Sequence, residues 1–222
     1  MSGRSISSTS PTRSPTSARI DSVTRANTVS SSIAPSPSAC SMSFLHCAAD
    51  AGGPAACLVK ALRKHTSVPF EVHLMTTEAD KWLEPFSEAG ADRFIFSLDA
   101  VPDPAALIAK TKALGKTVGF ALRIEEPIDL IAPYWDALDT LCVIGTALGI
   151  KGATMDPGVP GKIKQAREII DARGLKTDIE ADGGIRRNTV PLLAAAGADY
   201  IVPGSLMFGE DPVAMRAWLA TL

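Results

Sequence analysis

From about residue 54 onward the chain alternates short apolar runs of strand length with longer stretches whose apolar residues recur at helical spacing. Residues 70–75 (FEVHLM) form the first clear strand. The next residues are Thr76-Thr77-Glu78-Ala79-Asp80, where Thr77 is expected to cap a helix and Asp80 to answer it from the third position. That helix turns Trp82, Leu83 and Phe86 inward and ends at Ala89-Gly90. Residues 93–98 read as a strand, and 104–114 as a helix stopped by Gly115. Residues 117–122 read as a strand, 128–134 as a short helix, and 140–145 as a strand. Pro160 can open the next helix. In that helix Ile163, Ala166, Ile169 and Ile170 share a face, and Arg173-Gly174 closes it. Residues 177–181 read as a strand and 189–196 as a helix. Residues 200–203 are the last strand and 211–222 the last helix.

Six strand–helix units in strict alternation imply a parallel sheet covered by helices. The sheet is either open and doubly wound or closed into a barrel. An open dinucleotide-binding sheet carries G-x-G-x-x-G after its first strand, and this chain has none. A barrel needs two more units from before residue 70. Residues 54–66 (PAACLVKALRKHT) make a helix with Leu58, Ala61 and Leu62 on one face, and 43–48 supply a strand ahead of it. For the first unit only 28–34 (TVSSSIA) offers a weak strand, and no helix follows it. The expected fold class is an α/β (β/α)8 TIM barrel whose first βα unit is doubtful.

The length of 222 residues suits one such domain, and a hydrophobic fraction of 46% allows a real core. A net charge of −2 argues against a nucleic acid partner, and no apolar run reaches the roughly 18 residues of a membrane helix. The average conceals a split. Residues 1–45 hold about 15 Ser, four Arg, no Lys and one acid, Asp21, for a charge of +3; the rest carries −5. Residues 1–45 therefore read as a disordered, low-complexity segment and 46–222 as the barrel domain. A transit peptide directing the chain to a plastid is the alternative, because such peptides are Arg- and Ser-rich and poor in acids. The cysteines, Cys40, Cys47, Cys57 and Cys142, show no C-x-x-C spacing, so a reducing, cytoplasmic setting is expected. Cys142 lies in an apolar run and reads as a buried thiol.

In parallel βα folds the carboxyl ends of the strands face the ligand. Those ends carry His73, Ser97, Arg123, Gly145-Thr146, Asp182-Gly183-Gly184 and Gly204-Ser205. His73 alone fits a satisfied barrel histidine as well as a ligand. Asp182 differs: two glycines after a strand-end carboxylate serve little packing purpose, and they let backbone N–H groups approach an anion. Gly204-Ser205 before Leu206-Met207-Phe208 suggests the short extra helix that completes a phosphate site in barrels.

These residues carry a resemblance. Glu71-Val72-His73-Leu74-Met75, Glu88-Ala89-Gly90-Ala91-Asp92, Glu180-Ala181-Asp182-Gly183-Gly184-Ile185, Ala196-Gly197-Ala198-Asp199 and Pro203-Gly204-Ser205 resemble the ribulose-phosphate 3-epimerase family over about residues 54–222. The resemblance implies an isomerase of the pentose phosphate pathway in carbohydrate metabolism, interconverting D-ribulose 5-phosphate and D-xylulose 5-phosphate. It also implies a divalent metal of the Zn, Fe, Mn or Co class, which acts as a Lewis acid on the ketone and hydroxyl oxygens. Two aspartates on opposite faces of the substrate take and return the C3 proton. By this resemblance His73 is a metal ligand and Asp182 is both ligand and acid/base. Gly183, Gly184, Gly204 and Ser205 bind the phosphate.

Several positions depart from the family's pattern. The family's second strand reads H-x-D, followed by M-D-G; here the text is Leu45-His46-Cys47-Ala48-Ala49-Asp50-Ala51-Gly52. His46 can stand for the metal-binding histidine, but Ala48 occupies the aspartate's place and Asp50 falls two residues late. The fifth-strand end, usually Asn-Pro, reads Arg123-Ile124-Glu125. The sixth-strand loop, usually N-P-G-F-G-G-Q, carries Gly149, Lys151 and Gly152, which keep a phosphate-cradling role. Arg123 and Lys151 point to a divergent subgroup with a related sugar phosphate. His73 and Asp182 stand close to where an epimerase without a leader places them, so the Ser-rich segment replaces the first βα unit and does not precede a full barrel. A shifted reading frame over residues 1–53 is one account of that. Besides the epimerase, two functions stay open: a hexulose-phosphate-synthase-like aldolase, and a catalytically impaired sugar-phosphate-binding relic. The partner in each is a small-molecule sugar phosphate. The low charge and barrel precedent also allow a homo-oligomer.

Overall fold

The computed structural model describes residues 21–22, 24–25, 43–48, 52–147, 152–209 and 211–221, those before residue 52 by backbone and register alone. The strands are β1 (Asp21–Ser22), β2 (Thr24–Arg25), β3 (Ser43–Ala48), β4 (Phe70–Met75), β5 (Arg93–Ser97), β6 (Thr117–Arg123), β7 (Thr140–Ile144), β8 (Asp178–Asp182) and β9 (Tyr200–Val202). The helices are α1 (Gly52–Arg63), α2 (Ala79–Ala89), α3 (Pro104–Ala113), α4 (Val159–Arg173), α5 (Val190–Ala196), α6 (Ser205–Phe208) and α7 (Pro212–Leu219).

Every strand pair is parallel, and the ladder runs β1-β9-β8-β7-β6-β5-β4-β3-β2. Its two ends, Ser22 and Thr24, are separated by a single residue in sequence. β1 and β2 are thus two halves of one stave, bonded to β9 on one side and β3 on the other, and the sheet closes as an eight-stave barrel. The first stave comes from Asp21 to Arg25. The stretch 28–34, in which a weak strand is expected, lies outside the described residues. The sheet also draws on residues ahead of the domain boundary expected at residue 46, since β3 begins at Ser43.

Alternation along each strand separates two packing regions. Val72, Leu74, Phe94, Phe96, Phe120, Leu122, Leu141, Val143 and Ile179 face outward and join Leu83, Phe86, Ile108, Ile163, Ile170 and Leu193 of the helices in the main core. Ile95, Ala121, Cys142 and Ile144 form a smaller apolar cluster inside the barrel.

An aspartate recurs just before alternate strands and clamps the start of the preceding stave. Asp92 Oδ2 accepts from the Phe70 N–H at 2.7 Å, Asp139 Oδ2 from Val118 at 2.8 Å, and Asp199 Oδ2 from Ile179 at 2.8 Å. In each case the aspartate's own N–H bonds back to the carbonyl of the same partner residue, at 2.8–2.9 Å. These reciprocal pairs fix register at the amino end of the barrel, which leaves the carboxyl end free for chemistry.

Two local expectations are corrected. Thr77 does not cap α2: Glu78 is the cap residue without a side-chain bond, and Thr76 Oγ1 instead accepts from the Glu78 N–H at 3.2 Å. Asp80 turns away from that role to pair with Lys110 Nζ at 2.8 Å. The helix expected over 128–134 is two 3₁₀ turns, Ile128–Ile131 and Trp135–Ala137, separated by a segment with Pro133, which has no N–H to continue a helix. No helix among the described residues is long and apolar enough to cross a membrane.

Candidate active site

The inward row of β4 is Glu71, His73 and Met75; that of β8 is Asp178, Glu180 and Asp182. β4 and β8 are staves three and seven of eight, so these rows oppose one another across the interior. His73 is buried and Asp182 half-buried at the carboxyl end. On the neighbouring strand His46 shares a rung with His73, and Ala48 shares one with Met75. The two histidines therefore have the same parity on adjacent parallel strands, roughly 4.8 Å apart in backbone spacing. Among the described residues no group of three metal-ligating side chains lies together. His73 and Asp182 carry imidazole and carboxylate donors of the kind that divalent transition metals take, and of His46 the backbone register alone is described. Ala48 stands two residues beyond His46, in register with Met75.

The strand ends beside Asp182 are built from glycine. Gly183 has φ +94° and Gly184 φ +67°, a region costly for other residues. Space forbids a side chain there as well: a Cβ on Gly183 would stand 2.5 Å from Thr146 Oγ1, and one on Gly184 2.4 Å from the Met155 nitrogen. The loop after β7 is pulled across this point, with the Gly145 N–H on the Asp182 carbonyl at 2.7 Å and the Asp156 N–H on the Gly145 carbonyl at 2.8 Å. Thr189 Oγ1 fixes the other side, donating to the Gly184 carbonyl at 3.0 Å. Gly204, at φ +50°, leads into the one-turn helix α6, which begins at Ser205. Of the loop glycines, Gly152 is described and has φ +78°; Gly149 and Lys151 lie outside the described residues.

Directly beneath His73 and Asp182 lies a buried acidic pair. Glu71 and Glu180 are 0% and 1% exposed and approach one another across the barrel. Burial raises the Glu71 carboxyl well above its usual range, and the Glu180 and Asp182 charges add to this. Burial also raises Glu180, to about 7, against the opposing hydrogen bonds of Cys142 and Glu71. Burial pushes the Cys142 thiol up, with Glu180 adding to the shift, so it stays protonated. Arg93 closes the floor, 3.5 Å from Glu71 and 3.6 Å from Asp178, with its guanidinium 5.4 Å from the Tyr200 ring centre. None of this buried set is marked out in the sequence as chemistry. The signal for it was parity: Glu71 and Glu180 stand two residues before His73 and Asp182 and must share their face.

A closed parallel barrel with a carboxylate, a histidine and closely packed positive-φ glycines at its carboxyl end defines the (β/α)8 class. The comparisons narrow this. The sequence profile of the ribulose-phosphate 3 epimerase family matches residues 54–208. A ribulose-phosphate 3-epimerase from Mycobacterium bovis is 34% identical over 166 residues, covering 73% of this chain and 71% of the relative. One from Bacillus subtilis is 34% identical over 155 residues, covering 69% and 71%. The chain belongs to the ribulose-phosphate 3-epimerase family. Among solved structures, a mutant tryptophan synthase alpha-subunit from Pyrococcus furiosus superposes with a TM-score of 0.57 at 13% identity, over 81% of this chain and 83% of that one. At that identity the likeness speaks for the barrel fold alone.

Proposed function

We propose that this chain epimerises C3 of a ketose phosphate, converting D-ribulose 5-phosphate to D-xylulose 5-phosphate, with Asp182 as the acid/base. The observation that carries the reading is Asp182 itself: it ends an inward row opposite His73 and is followed by two glycines at positive φ. The backbone N–H groups of Gly183, Gly184, Gly204 and Ser205 take the substrate phosphate, and Gly149, Lys151 and Gly152 are assigned to the same phosphate by the family resemblance alone. Asp182 then faces the C3–H from one side and removes or returns that proton, and the matching transfer on the opposite face, where this chain has Ala48, falls to a solvent water that supplies or receives a proton there. His73, His46 and Asp182 would hold a divalent cation, which supplies Lewis-acid polarisation of the ketone and hydroxyl oxygens when bound. The acidic pair beneath, kept protonated in part by burial, limits the negative charge under the site.

The test is incorporation of solvent deuterium at C3 of ribulose 5-phosphate, followed by NMR with Mn²⁺, Fe²⁺, Co²⁺ or Zn²⁺ supplied. The wild-type chain exchanges the C3 proton, and Asp182→Asn loses about 10²–10⁴-fold of that rate. Wild type that binds the sugar phosphate and exchanges nothing with any of these metals would instead support a sugar-phosphate-binding relic. The observation favouring that second reading is Ala48 at the position in register with Met75, because one base does not readily serve both faces of a carbon.

A further inference from the structure

Arg123 closes β6 at the mouth of the barrel and continues the inward row of Thr117, Gly119 and Ala121. The register Arg123↔Ile144↔Asp182 places it two strand spacings from Asp182, roughly 10 Å between Cα atoms. The guanidinium is engaged by Asp99 after β5 and by the loop after β6, so a bound sugar phosphate has to extend across that gap to meet it. Arg123 is also held at three points. Its N–H donates to Glu126 Oε2 at 2.6 Å, and its carbonyl accepts from Lys162 Nζ. Its guanidinium lies 3.3 Å from Asp99 and 3.4 Å from each of Glu125 and Glu126. Lys162 is buried and spends its donors on the carbonyls of Arg123, Ile124 and Glu126, so the β6 loop is fastened to α4.

The chemistry of this arrangement selects its ligand. Three carboxylates, Asp99, Glu125 and Glu126, face two cations, Arg123 and Lys162, so the cluster is net acidic and does not favour a phosphate dianion. Guanidinium donors beside carboxylate acceptors instead match vicinal hydroxyls, each of which gives one hydrogen bond and accepts another. We infer that Arg123, with Asp99 and Glu125, is a specificity-determining residue that binds the non-reacting hydroxyls of the ketose phosphate held at Asp182. This inference rests on the epimerase reading for the identity of that ligand.

The experiment compares wild type, Arg123→Met, Arg123→Lys and Asp99→Asn, each checked for folding by circular dichroism. KM and kcat are measured for ribulose 5-phosphate, and inorganic phosphate is the competing probe. Arg123→Met is expected to raise KM about 10- to 100-fold, the loss of charge-assisted hydrogen bonds, with kcat and the phosphate inhibition constant within about threefold of wild type. Arg123→Lys keeps the charge but not the fork and falls between. Asp99→Asn raises KM a few-fold and carries the test if Arg123→Met does not fold. Unchanged KM in the folded variants overturns the inference and leaves the epimerase reading standing. An equal loss of inorganic-phosphate affinity assigns Arg123 to the phosphate and overturns it too. If wild type binds without turnover, calorimetric Kd replaces KM with the same expectations; if it neither binds nor exchanges, both readings fail.

Discussion

Arg93 and Glu71 form an ion pair on the floor of the barrel, 3.5 Å apart, with side chains 9% and 0% exposed. Arg93 comes from the first residue of β5 and Glu71 from the second of β4, neighbours on one rung. Glu71 also faces Glu180, so Arg93, Glu71 and Glu180 form one layer beneath the candidate catalytic residues. Arg93 partly offsets the burial that raises both glutamates.

Replacing Arg93 by Met removes that offset and leaves acids facing one another in an apolar interior. Because Glu71 already favours its neutral form, the loss sits at the low end of what a broken buried pair costs, about 3 kcal/mol. Urea denaturation of Arg93→Met against wild type at pH 7 checks it. A variant as stable as wild type would show that the floor needs no cation.

Stability depends on pH through the acids that burial raises. Asp178 is pushed up to about 6 from 3.8, by burial first and then by Asp199, against Arg93 and Arg167. Glu180 is pushed up to about 7 from 4.5. The folded chain thus binds these protons more tightly than the unfolded chain. Their contribution is complete below the unfolded values and is lost as pH rises through 6 and then 7. Denaturation midpoints are expected to fall between pH 5 and pH 8, and Asp178→Asn to flatten the lower part of that fall. A midpoint that rises over the same interval would contradict the assignment.

The aspartate clamps predict a register-specific loss. Asp92 Oδ2 takes both the Phe70 N–H at 2.7 Å and Arg63 Nη2 at 2.9 Å. Asp92→Ala is expected to cost about 2 kcal/mol, since bonds to a charged acceptor are lost and a strand N–H is left open. Asp92→Asn, which keeps an acceptor, recovers part of it. Thermal melts of the two variants separate the clamp from general surface effects.

Ala48 predicts a gain. It is two residues beyond His46 and so shares that residue's face, at the place where the family carries its second aspartate. Ala48→Asp supplies a second carboxylate and is expected to raise the rate of D-xylulose 5-phosphate formation about 10²-fold or more. The rate is read from the epimer's own signals in the NMR assay, and no gain in a folded variant removes Ala48 as the reason for any weakness of the natural chain.

The sequence resolves the staves well. Residues 43–48 and 70–75 are strands with the bounds that pattern reading gives them, because their apolar runs are bracketed by Pro, Gly and polar turns. The helix over 128–134 misleads, since an apolar period of three to four residues does not distinguish an α-helix from successive 3₁₀ turns when Pro133 interrupts it. The first stave is hidden for a related reason. Asp21 to Arg25 is too short and too polar to show a strand period, and its place is set by the open edges of β9 and β3. Of the site, His73, Asp182 and the two glycines after it are legible, because strand ends in a parallel fold point to one rim. Glu71, Glu180 and Arg93 read as ordinary charged residues until the barrel closes around them.

Local chemistry alone determines the alternation of strand and helix, the parallel sheet that follows from it, and the glycines that only a left-handed backbone can use. Closure is a tertiary matter. It decides that His73 and Asp182, more than a hundred residues apart, oppose one another, and that Glu180 meets Glu71. The reason is that hydrogen bonding between staves adds one short spacing at a time, and only when the ladder curls back on itself do distant inward rows share one small, dry interior, where charges interact strongly.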